Sequence, residues 1–122
     1  MAKSLTRGRK LALACEIMDW LEANGLFEDV CIYVDGCRLV RSDSDDAKHT
    51  GNGTRYSSEP DVDVSEILEY CNPDTLTMTF EGALYADYNY GGPSYDRIRA
   101  IAAKYGLYPE QGYAWSLALY ST

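Results

Sequence analysis

The sequence predicts an α+β domain, with a mostly antiparallel sheet of four strands and helices packed on one face. Three observations carry this. Segments with apolar residues at helical spacing are interleaved with segments of strict two-residue alternation. An Asp-Gly pair joins two β-rich runs. Gly or Pro marks nearly every change of period. The 122 residues suffice for one domain with a core that needs neither disulfides nor metals, so 1–122 reads as a single unit.

Ser4 or Thr6 is placed to cap a first helix, on which Leu13, Ile17, Trp20, Leu21 and Asn24 share a face and Gly25 gives the stop. Trp20 is the largest side chain on that face, and Glu16, Asp19 and Glu22 mark the opposite, solvent side. Val30 to Val34 and Cys37 to Arg41 flank Asp35-Gly36, the signature of a two-residue hairpin whose turn residues both need positive φ. That register sets Val34 opposite Cys37, Tyr33 opposite Arg38 and Ile32 opposite Leu39. Val30, Ile32, Val34, Cys37 and Leu39 then lie on the core face.

Residues 42–61 are polar and Gly-rich and read as a long loop, with room for an irregular edge strand around Thr54 to Ser58. Asp63 and Glu66 form an acidic capping box, and Val64, Ile67, Leu68 and Cys71 form the stripe of a short helix that Asn72-Pro73 ends. Leu76 to Phe80 alternates, with Leu76, Met78 and Phe80 inward and the threonines outward. Ala83 to Tyr90 suits one or two helical turns closed by Gly91-Gly92-Pro93. Ser94 caps a further helix carrying Ile98, Ile101, Ala102 and Tyr105 on one face and ending at Gly106. After a turn over Pro109 to Gly112, Tyr113 to Tyr120 alternates as a final strand, with Trp115, Leu117 and Leu119 on one side. The order is α-β-β-α-β-α-α-β, and a parallel pairing of the last two strands would require a right-handed crossover.

Charge is the first functional signal. Eleven bases against nineteen acids give −8. Residues 1–12 hold Lys3, Arg7, Arg9 and Lys10 without an acid. Residues 42–96 hold twelve acids (Asp43, Asp45, Asp46, Glu59, Asp61, Asp63, Glu66, Glu69, Asp74, Glu81, Asp87 and Asp96) against Lys48 and Arg55, a local −10. Phosphate repulsion opposes direct DNA binding by such a surface. A basic protein partner, such as a nucleic-acid-binding protein, suits it instead, although acidity also serves solubility. The basic N-terminus offers an RNA contact or simply offsets the acidic body.

Site chemistry is sparse. Cys15, Cys31, Cys37 and Cys71 contain no C-x-x-C pair and lie within apolar patterns, which favours structural thiols over a zinc site or disulfides. His49 is the only histidine, so a histidine triad or a multi-histidine metal centre would need a second chain. Phosphate-binding and nucleophile-elbow motifs are missing. Gly91-Gly92-Pro93-Ser94 opens a helix N-terminus toward an anion, but Asp96 in its first turn repels one. Asp43 and Asp45 begin a calcium-loop spacing that Ala47 and Lys48 break. No catalytic residue, cofactor or metal is expected, and no membrane-spanning run is present.

Eleven tyrosines are many for this length, and Tyr85, Tyr88, Tyr90 and Tyr95 cluster beside Asp87 and Asp96. Tyrosine offers large contact area with a polar tip, and an acidic tyrosine surface suits arginine-rich partners through ion pairs and cation–π contact. The candidate partner-binding residues are therefore Asp43, Asp45, Asp46, Glu59, Asp61 and Asp63, together with Tyr85, Asp87, Tyr88, Tyr90 and Tyr95.

Asp29-Val30-Cys31-Ile32-Tyr33, Leu76-Thr77-Met78-Thr79-Phe80-Glu81-Gly82 with Leu84-Tyr85, and Tyr105-Gly106-Leu107-Tyr108 with Gly112-Tyr113-Ala114-Trp115 carry a resemblance. In these segments, and in general style from about Ala12 onward, the chain resembles small acidic proteins of bacterial phages and mobile elements, a class that includes anti-CRISPR and anti-restriction proteins. The resemblance implies stoichiometric, cofactor-free inhibition of a nucleic-acid-targeting defence protein, such as a CRISPR nuclease, in the cytoplasm of a bacterial host. The alternative is a non-enzymatic accessory module that works through self-association at an open sheet edge or through other protein contacts. An enzyme using carboxylates alone is a weaker third reading.

Overall fold

The computed structural model describes residues 5–122; Lys3 and the Ser4 capping alternative lie outside them. Helix α1 (Arg7–Ala23) is capped by Thr6, whose hydroxyl accepts from the Arg9 amide at 3.2 Å. It buries Leu13, Ala14, Ile17, Met18 and Leu21. Trp20, expected as the largest buried residue of this helix, is only half-buried against the edge of the core. Strands β1 (Val30–Val34) and β2 (Cys37–Arg41) pair in the expected register, with Asp35 at φ 51° and Gly36 at φ 73° in the turn.

The sheet has seven strands rather than four. Besides β1 and β2 it contains β3 (Lys48–His49), β4 (Arg55–Glu59), β5 (Leu76–Phe80), β6 (Leu107–Gln111) and β7 (Ser116–Ser121), in the order β3–β4–β2–β1–β5–β7–β6. Every pairing is antiparallel, including that of β5 with β7, the last two of the four expected strands, so no crossover of the parallel kind arises.

Two of the three added strands, β3 and β6, are the edges of the sheet, where one flank needs no partner and polar or proline residues are tolerated, while β4, which matches the strand allowed around Thr54 to Ser58, is an inner strand paired with β3 and β2. β3 and β4 fall within the segment read as a loop. Tyr56 is the buried hydrophobic of β4, and the Thr50–Thr54 turn joins the two strands. β6 contains Pro109, which the sequence reading placed in a turn; the turn lies one step later, between Gly112 and Ser116.

Helices α2 (Gly82–Asn89) and α3 (Ser94–Ala103) join α1 on one face of the sheet. There Leu84, Tyr88, Ile98, Ile101 and Ala102 meet Ile32, Leu76, Met78, Phe80, Leu117 and Leu119. Each fully buried aliphatic side chain contributes about 1.5–3 kcal/mol, whereas an exposed ion pair contributes about 0–1 kcal/mol, so this layer holds the fold.

The opposite face, which we term the back face, is not bare. Residues 61–75 run across it and form a second cluster of Tyr33, Val64 and Leu68, flanked by Cys31, Val62, Cys71 and Trp115. Thr77, expected to face solvent, is fully buried beneath this segment, and its hydroxyl accepts from the Asn72 amide at 2.9 Å. The expected helix here is a single 3-10 turn, Val64–Glu66, capped by Asp63. Its stripe is also split: Val64 and Leu68 are buried, while Ile67 is 52% exposed. Trp115 belongs to the turn before β7 and packs on the back face, away from Leu117 and Leu119.

Candidate partner-binding surface

The acids of residues 42–63 do not form one patch. Asp43 lies at the Arg41 end of β2, and Arg41 bridges it at 2.9 Å and Glu22 of α1 at 3.0 Å. The two carboxylates hold Arg41 firmly charged, chiefly through their hydrogen bonds. Arg55 donates to the backbone carbonyls of Asp43 and Ser44, and Ser44 donates to Asp46, so this loop is folded onto bases and onto itself. Asp45 is exposed. Glu59 pairs with Arg38 at 2.6 Å, because the β2–β4 register sets the two residues opposite each other. Asp61 is exposed at φ 58°, and Asp63 caps the 3-10 turn. β2 therefore separates Asp43, Asp45 and Asp46 from Glu59, Asp61 and Asp63.

The α2–α3 tyrosines divide as well. Tyr88 is 5% exposed and packs on Phe80 at 5.6 Å, which makes it a core residue rather than a contact residue. Burial pushes its phenol up to about 12. Asp87 is spoken for: its carboxylate accepts from the Ser94 amide at 2.8 Å and caps α3 in place of the serine. The anion that this helix N-terminus suits is thus supplied by the chain itself. A Cβ on Gly92 would lie 2.3 Å from the Asp87 carboxyl carbon, so a larger residue there would push this carboxylate off the Ser94 amide. Tyr85 is half-buried, 6.4 Å from the 77% exposed Tyr90. Tyr95 already has the Arg99 guanidinium 5.2 Å from its ring. A cation from a partner would meet a face taken by one of this chain's own.

Three α1 acids taken as a solvent face turn out to be docking points. Glu16 accepts from the Tyr105 hydroxyl at 3.0 Å and pairs with Lys104 at 2.6 Å. Asp19 accepts from Thr50, from Asn52 at 3.1 Å and from Thr54 at 2.6 Å, which ties the β3–β4 turn to the helix. Glu22 holds Arg41. Lys104 offsets Glu16, and Arg41 is shared by Glu22 and Asp43, while Asp19 keeps its charge within a ring of neutral donors.

The back face is different. Residues 61–75, which cross it, contain no Lys or Arg and carry Asp61, Asp63, Glu66, Glu69 and Asp74, with Glu81 just after β5; Arg38, opposite Tyr33 on this face, is paired with Glu59. Glu66, Glu69, Asp74 and Glu81 are exposed. An aromatic row lies on this face as well, around Trp115. Tyr70 meets Tyr113 edge-on at 5.4 Å, and Tyr113 stacks on Trp115 at 4.8 Å with the planes 5° apart. Tyr70 is 50% and Tyr113 38% exposed. Beside the row runs a groove of about 610 Å³ walled by Ile67, Leu68, Val40 and Trp115, with Asp29 and Glu81 also on its lining. The signal available in the sequence was the Tyr113–Trp115 pair; its nearness to Tyr70 was not readable, because it depends on the unforeseen β6–β7 hairpin.

The thiols are consistent with structural roles. All four cysteines are free and half-buried. Burial, then the charge of Asp19, raises the Cys15 pKa; burial, then Asp63, raises that of Cys71. Among the described residues no three His, Cys, Asp or Glu side chains come together as a metal site, and no helix is long and apolar enough to cross a membrane. His49 lies exposed on β3. Comparison with protein-family models, with curated proteins and with solved structures finds no match for this chain.

Proposed function

We propose that the protein is a non-enzymatic inhibitor that binds a basic, nucleic-acid-binding protein and covers the surface where the nucleic acid would lie. The target class is a bacterial nucleic-acid-targeting defence protein, with a CRISPR nuclease as its leading member. The observation that supports this most is the back face, where the exposed Glu66, Glu69 and Asp74 of the base-free segment 61–75 accompany the Tyr70–Tyr113–Trp115 row. Carboxylates replace phosphates and aromatic rings replace bases, so the surface presents to a basic cleft the two features a nucleic acid presents.

Self-association through a sheet edge is less well supported. β3 is two residues long, and β6 carries Pro109, which lacks a donor for a further ladder.

The test is affinity capture with the tagged protein from cells carrying active CRISPR and restriction systems. Recovery of a defence nuclease at near-equal stoichiometry, released by added guide RNA or DNA, is the expected result. Recovery of the bait alone, or of proteins that nucleic acid does not displace, contradicts the proposal.

A further inference from the structure

We propose that the back-face groove beside Trp115 is the seat of an arginine side chain from an extended segment of the partner. This rests on the reading of the protein as a binder of basic surfaces and names the chemistry of its central contact.

The groove holds about 610 Å³, and its walls include Ile67, Leu68, Val40 and the Trp115 indole. Such walls suit the methylene stem of a long side chain. The indole is stacked on Tyr113, which fixes its plane, while it also lines the groove. A flat aromatic wall favours a planar guanidinium over a compact ammonium. Asp29 and Glu81 both belong to this lining, and the two residues are adjacent because the Glu81 amide donates to the Asp29 carbonyl at 3.0 Å. Their carboxylates are acceptors suited to the fork of a guanidinium.

The one base on the lining, Arg41, is already engaged by Glu22 and Asp43, so it adds little net repulsion. The backbone supports the site: Asp29 is held at φ 55°, and Gly82 at φ 62° would bring any Cβ to 3.1 Å from an Asp29 carboxylate oxygen. The bare Cα of Gly82 leaves that carboxylate its place.

The experiment is a titration of the full chain with an Arg-Gly repeat peptide and, separately, with a Lys-Gly repeat peptide of equal length, following the Trp115 indole N–H resonance. The arginine peptide should shift this resonance saturably, with the lysine peptide bound about tenfold more weakly. Glu81→Gln combined with Asp29→Asn keeps the shapes and the left-handed backbone at 29, and should weaken arginine-peptide binding about tenfold. Trp115→Phe, read from the Ile67 methyl resonances, should lower the preference for arginine. Equal affinity for the two peptides, or binding unchanged in the carboxamide variant, overturns the assignment. The outcomes separate the two proposals. A target still inhibited by the carboxamide variant leaves the inhibitor reading standing without the arginine seat. Arginine selectivity without any captured nuclease leaves the seat standing without the inhibitor reading.

Discussion

Replacing Asp19 removes in one step the acceptor for Thr50, Asn52 and Thr54. A hydrogen bond to a charged group contributes about 1.5–3 kcal/mol net, and at half-buried Asp19 water takes over part of what the three donors lose together. Asp19→Ala is therefore expected to cost about 2–3 kcal/mol in chemical denaturation, with loss of amide-exchange protection concentrated in β3 and β4; an unchanged midpoint contradicts this role. Tyr88 gives a pH test. Its phenol is raised from the usual 10.0 to about 12 by burial. Below pH 10 both folded and unfolded chains hold the proton, so the full stability is present. Between 10 and about 12 only the unfolded chain ionises, so stability falls by about 2 kcal/mol over that window. Tyr88→Phe should lessen the fall, measured by denaturation at stepped alkaline pH; an identical pH profile would place Tyr88 outside the core. Residue roles were the least legible part of the sequence. Asp87 and Tyr88 are neighbours in an acidic tyrosine run, but a cap and a core contact claim them, and both depend on where α3 and β5 pass.

Gly112 couples two elements distant in the chain. A Cβ there would lie 2.5 Å from the Tyr70 Cβ, an atom that cannot swing away without moving the backbone of residues 61–75. Gly112→Ala should cost about 1–3 kcal/mol and separate the Tyr70 ring from Tyr113, seen as loss of the inter-ring nuclear Overhauser effect. A retained contact at full stability contradicts the packing. Elements with a strong period were legible. The β1–β2 hairpin follows from its Asp-Gly turn to the exact partner of each residue, and α1, α3 and β5 fall where their apolar spacing puts them. Elements without a period were not. β3 is two exposed residues and β6 includes a proline, and such edge strands carry little of the alternation that burial on one face imposes; β4 showed only as a strand allowed around Thr54 to Ser58, expected at an edge but paired on both flanks, because it buries Tyr56 among polar neighbours. The 3-10 turn at Val64–Glu66 reflects the reverse failure. A helical stripe was present, but the two buried members needed only one turn to reach Tyr33.

At the scale of the molecule, the net charge of −8 hides an unequal division. The helical side spends its acids on Lys104, Arg41 and the β3–β4 turn. The back face keeps Glu66, Glu69, Asp74 and Glu81 exposed, with no base in residues 61–75. Under the proposed function, this exposed acid would steer a basic partner toward the back face. The acidity itself was legible in the sequence. The face that presents it was not, since that depends on residues 61–75 crossing the sheet. The most direct measurement is DNA cleavage by a captured, guide-loaded nuclease, titrated with the wild-type protein and with a Glu66→Lys, Glu69→Lys double variant of unchanged fold. Cleavage should stop near one equivalent of wild type, rising salt should weaken this inhibition, and the double variant should inhibit at least about tenfold less. Equal inhibition by the two proteins, or inhibition by wild type that salt does not affect, would contradict it.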